Sequence, residues 1–184
     1  WFLLIMFSAG IIIGALNINK DNLIAEELNN VVNIFKEIRT GQGITKIFMS
    51  SFAVNGAFLF ADLFLAFSLI GYPLILWIPL LKGLGIGAFS GFLYSSFGMI
   101  GLGYYLLIIF PGALVSAFAL INACNDACEY SKNSYYKSIL SKGVFEKDET
   151  KIMLIRQLVF IAVTAFSSLT DSLVYIAFSR FFEI

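Results

Sequence analysis

One stretch of this chain suits a helix in lipid far better than a helix in water. It is Lys82-Gly83-Leu84-Gly85-Ile86-Gly87-Ala88-Phe89-Ser90-Gly91, set in a long apolar run. Gly83, Gly87 and Gly91 recur every four residues and so line one face of a helix. In a soluble helix each would cost about 1 kcal/mol relative to alanine. Between helices in a bilayer, the missing Cβ instead lets two backbones touch. Gly10 and Gly14 repeat the same spacing in the first apolar run, either as a second packing face or as two incidental glycines. Lys82 heads the ladder with a charge that costs about 3 kcal/mol or more at the bilayer centre and needs a partner.

The rest of the chain agrees. It is 59% hydrophobic, with mean hydropathy +0.88, and its apolar blocks are too long for ordinary core helices. The expected fold is all-α: a polytopic transmembrane bundle of about five spans with kinked or broken helices, forming a single integral membrane domain over residues 1–184. The blocks fall at 1–18, 47–70, 74–97, 103–123 and 152–178, with a polar loop at 124–151. Pro79 and Pro111 are expected to kink the third and fourth spans. The chain opens at Trp1 inside an apolar run, which is expected to be a retained span rather than a cleaved signal.

Residues 21–40 differ from the spans. Ile24, Leu28, Val31, Phe35 and Ile38 form an apolar stripe, and Glu26, Glu27, Lys36, Glu37 and Arg39 fill the remainder. Such a helix lies on the membrane, docks a partner, or packs on the bundle's own loops. A slight excess of Lys and Arg in the 124–156 segment puts residues 19–46 on the outer side of the membrane.

Few residues offer chemistry. Asp62 lies ten residues before Tyr72 and Lys82 ten after it. A tight turn at Gly71-Tyr72-Pro73 would therefore bring the two to matched depth, about 15 Å from the turn. A contact between Asp62 and Lys82 is expected there, either holding the hairpin or lining a polar path. Asp171 is the second choice of partner. The chain has no His, so neither a metal site nor a nucleophile–base pair assembles readily. Cys124 and Cys128 read as reduced, structural thiols. Gly83-x-Gly85-x-x-Ala88 has the look of a dinucleotide loop, but it lacks the preceding strand and the third glycine. No catalytic residue, metal or cofactor is expected. The formal net charge of zero gives no reason to expect a nucleic-acid partner.

Taken in order, these features resemble the stage II sporulation protein M family. The resemblance rests on Gly10-x-x-x-Gly14 followed by Asn17, then Ile70-Gly71-Tyr72-Pro73, then Lys82-Gly83-x-x-x-Gly87-x-x-x-Gly91-Phe92-Leu93. Phe110-Pro111, a charged segment and a final apolar span complete it. The chain departs from the family at Gly112-Ala113, where members tend to carry polar amides. The resemblance implies a polytopic scaffold in a bacterial cytoplasmic membrane. In endospore formers such a protein anchors peptidoglycan-degrading enzymes, with the D and P sporulation proteins, during engulfment; other members are associated with ABC-type export. Two functions follow as expectations. One is a non-enzymatic scaffold whose 21–40 segment docks cell-wall-remodelling partners, with a homo-oligomer as one form of the assembly. The other is a membrane subunit of a transporter, working with an ATPase and using a polar path at Asp62 and Lys82.

Overall fold

The computed structural model describes residues 1–16, 30, 44–68, 71–139 and 147–178. Among these the chain is all-helical. The helices are α1 (Phe2–Leu16), α2 (Ile44–Ala66), α3 (Gly71–Ile75), α4 (Trp77–Tyr104), a π-helix (Tyr105–Ile109), α5 (Phe110–Ile139) and α6 (Lys147–Phe178). By length and composition three stretches can cross a membrane: Ile44–Ala66, Gly71–Tyr136 and Glu149–Ala177. The apolar α1, with 15 residues, is about 22 Å long, short of a hydrocarbon core of roughly 30 Å. The 21–40 segment, with its stripe of Ile24, Leu28, Val31, Phe35 and Ile38, lies outside the described residues apart from Asn30.

The bundle is turned inside out relative to a soluble protein. Phe64, Met99, Phe118, Leu158 and Leu173 are exposed, while Ser116, Ser131, Gln157, Thr164, Ser168 and Ser172 are buried. In a bilayer the outer surface meets lipid, and the hydroxyls bond inward. Thr164, Ser168 and Ser172 each donate to the carbonyl four residues back, so their polar groups are satisfied within α6.

Glycine sets the closest packing. A Cβ on Gly10 would lie 2.3 Å from the Leu80 carbonyl oxygen, and one on Gly14 2.3 Å from that of Leu84. In return, Gly83 meets the Phe7 carbonyl at 2.3 Å, Gly87 that of Ile11 at 2.1 Å and Gly91 that of Ala15 at 2.8 Å. Two glycine ladders thus face each other. The matched pairs 7–83, 11–87 and 15–91 rise together along the sequence, so α1 runs parallel to α4.

Turns and breaks follow local chemistry. Between α2 and α3 the Ser68 N–H bonds the Leu65 carbonyl and the Gly71 N–H bonds that of Ser68. A Cβ on Gly71 would stand 1.8 Å from the Leu65 oxygen, so only glycine fits. Pro79 lies close to a helix break near the start of the third apolar stretch. It is the third residue of α4, and its missing N–H leaves the Ile75 carbonyl without its helical donor, so the break falls at Leu76 between α3 and α4. Pro111 follows the π-helix, where the Phe110 N–H reaches back to the Tyr105 carbonyl, five residues away. The wider turn accommodates a ring that would crowd the preceding turn of a regular helix. Gly98, at φ 61° and ψ −138°, breaks α4 in a conformation suited to glycine. There the chain doubles back, setting Gly101 against the Leu93 carbonyl.

Much of the expected polar loop at 124–151 is helix, residues 140–146 lying outside the described residues. α5 continues to Ile139 and α6 starts at Lys147. With 30 and 32 residues these helices measure about 45 and 48 Å, longer than the bilayer core. Their ends form an antiparallel stem, in which Tyr130 and Thr150 hydroxyls meet at 2.8 Å and Arg156 pairs with Asp126 at 3.6 Å. Small buried residues, Ala123, Cys124, Ala127 and Ser131, carry α5 along α6 past the end of its apolar run. Ser131 also donates to the Ser68 carbonyl at 3.0 Å, tying this stem to the α2–α3 turn.

Candidate functional site

The expected Asp62–Lys82 contact does not form. Lys82 is buried and donates to Asn55 Oδ1 at 2.8 Å, with its ammonium 5.7 Å from the centroid of the Phe58 ring. The register explains the difference. The expectation pivoted on Tyr72, whereas the turn lies between Ala66 and Gly71. The residue opposite Lys82 therefore moves from position 62 to 55, seven residues or about two helical turns, which keeps the same helix face.

Asp62, fully buried, belongs to another cluster. Gln157 Nε2 donates to Asp62 Oδ2 at 3.2 Å and to the Ala123 carbonyl at 3.3 Å. Cys124 stands beside the same carboxyl group. Asp62 Oδ1 and Gln157 Oε1 are buried without a hydrogen-bond partner among the described residues. The cluster joins α2, α5 and α6 at the core. Cys124 and Cys128 are free and buried.

The structure brings Lys82 together with Asp171 on the walls of one cavity of about 410 Å³. Ser51 donates to Asp171 Oδ2, and Asn55, one turn along α2, donates its amide to the Ser51 carbonyl at 2.9 Å. Lys82–Asn55 and Ser51–Asp171 thus occupy successive turns of α2. Ser116 and Ser167 add hydroxyls, and Tyr105 and Ile109 of the π-helix close another side. Ser167 donates to the Gly112 carbonyl at 2.6 Å. A Cβ on Gly112 would lie 3.0 Å from that of Asp171, so glycine there admits the acidic helix.

Ser51, Ser116 and Ser167 went unnoticed in the sequence, and Asn55 was given no partner there. A signal was present: Ser51 and Asn55 are four residues apart, hence on one helix face. Among the described residues no group of three His, Cys, Asp or Glu side chains converges as a metal site. The cavity offers a cation, an anion and hydroxyls in an apolar shell, which is equipment for binding.

No curated protein and no solved structure matches the chain. The family model of stage II sporulation protein M matches residues 3–177, from α1 to the end of α6. The glycine-packed helices and the polar cleft all fall inside that match, and the chain belongs to the stage II sporulation protein M family.

Proposed function

We propose that the chain is a non-enzymatic, multi-pass scaffold of about five spans in a bacterial cytoplasmic membrane. In this reading α1 counts as a span, and the doubling-back at Gly98 divides Gly71–Tyr136 into two. The scaffold anchors partner proteins, among them peptidoglycan-remodelling enzymes, through the apolar stripe of residues 21–40. The observation that carries this reading is the backbone-to-backbone contact of α1 with α4. Such a contact fixes the point from which the chain leaves Leu16 towards the docking stripe, and a platform needs that rigidity. Family membership supports the same role.

The test is recovery of membrane partners by a tagged protein carrying Leu28→Asp and Phe35→Asp. Loss of partners, with the protein still in the membrane at normal levels, is the expected result. Undiminished recovery would sink the docking reading. A second reading, the membrane subunit of an exporter, draws on the cavity that holds Lys82 and Asp171. Buried charges beside broken helices are features of transporters. Substrate flux in liposomes containing the protein and its cognate ATPase, abolished by Lys82→Met, would favour that reading over the scaffold.

A further inference from the structure

The cavity between α2 and α4 has a polarity along its length as well as across it. Ser51 lies seven residues inside the start of α2 and Asn55 eleven, or about 10 and 16 Å from that end. Asp171, bonded to Ser51, is therefore the shallower charge, and Lys82, bonded to Asn55, the deeper one. No carboxylate among the described residues forms an ion pair with the Lys82 ammonium; its partner is the neutral amide oxygen of Asn55. Val54 and Gly85 line the cavity and are exposed on the outer surface, so the cleft opens sideways towards lipid. At Gly85 a Cβ would meet nothing within 4 Å, which leaves the mouth clear.

We propose that this cleft binds the headgroup of a zwitterionic phospholipid bearing a primary amine. In such a lipid the phosphate sits deeper than the amine, because the phosphate is the group joined to the acyl-bearing backbone. That order matches the cleft: Lys82 takes the phosphate as a charge-assisted donor, and Asp171 accepts from the ammonium while keeping its bond from Ser51. The acyl chains leave between Val54 and Gly85. A lipid with only an anionic headgroup satisfies Lys82 but sets its charge near Asp171. A quaternary amine offers Asp171 no N–H.

The test compares thermal midpoints of the detergent-solubilised protein after adding phosphatidylethanolamine, phosphatidylglycerol, phosphatidylcholine or free phosphoethanolamine, with native mass spectrometry to count retained lipid. Phosphatidylethanolamine is expected to raise the midpoint by about 5 °C and to be retained one per chain, the others giving less than half that rise. Gly85→Leu, whose Cβ meets nothing within 4 Å and whose side chain stands at the mouth, and Asp171→Asn are each expected to abolish the rise. The lipid-free midpoint of each variant verifies folding. An equal rise with phosphatidylglycerol, phosphatidylcholine or free phosphoethanolamine overturns the proposal. So does a full rise retained by either folded variant.

Discussion

The two faces of α4 share one helix and are built in opposite ways. On the face towards α1, Gly83, Gly87 and Gly91 remove every side chain, and carbonyls of Phe7, Ile11 and Ala15 fill the space. On the face towards α2, Lys82 and Gly85 border a cavity held open by polar side chains. At Gly83 and Gly87 the first face cannot admit one more carbon without backbone movement, and only its end at Gly91 is slacker; the second face has room for a ligand. Within four residues, Gly85 and Gly87 therefore carry different meanings. The contrast teaches that glycine in a membrane helix is read from its face: three of these residues serve contact, and one serves access.

Substitutions can break that contrast at graded cost. Gly87→Leu drives a side chain into the Ile11 backbone and is expected to cost about 3 kcal/mol, roughly 6–12 °C in the thermal midpoint. Gly85→Leu, two residues away, is expected to leave the lipid-free midpoint within about 2 °C. Comparable losses at both positions would erase the distinction between the faces.

The polar face is expected to respond asymmetrically. Asn55→Leu strands a buried ammonium without its acceptor and should cost about 1–3 kcal/mol. Lys82→Met in the Asn55→Leu background should recover most of that loss, because the orphaned charge goes with the lysine. Urea or thermal unfolding of the two variants checks the order; a double variant less stable than Asn55→Leu alone would refute it. The smallest effect belongs to the stem. Arg156 is largely exposed, its side chain at 59%, so Arg156→Ala should shift stability by less than about 1 kcal/mol and by still less at high salt.

How far the sequence could be read depended on whether a residue's meaning was local. The ladders at Gly10/Gly14 and Gly83/Gly87/Gly91 were legible, since small residues every four positions have one strong use between helices. Lys82 was legible as a buried polar position, but its partner was not. A hairpin's register depends on where the turn falls, and a shift from Tyr72 to the Ser68–Gly71 corner moved the match by two helical turns. The helical stem formed by residues 124–139 and 147–151 was missed because the apolar signal ends near Ala123 while helix packing does not. Its buried stripe of Ala127, Cys128 and Ser131 is small rather than hydrophobic. Asp171 entered the cleft through Gly112, a tertiary contact that local pattern does not encode. Pro79 and Pro111 marked real discontinuities, yet each acts on residues before it, at Leu76 and along Tyr105–Ile109.

The contact of α1 with α4, and its parallel sense, underlies the rigid-platform reading. It is tested most directly by cysteine cross-linking in membranes, in a background carrying Cys124→Ala and Cys128→Ala. Ala15→Cys paired with Gly91→Cys is expected to form a disulfide, because residues 15 and 91 face each other at the slackest rung of the ladder, where a shift of a few tenths of an ångström admits the added Cβ. Phe7→Cys paired with Gly91→Cys is expected to stay reduced. Cross-linking of 7 with 91 and not of 15 with 91 would mean that α1 runs the other way, and would contradict the account.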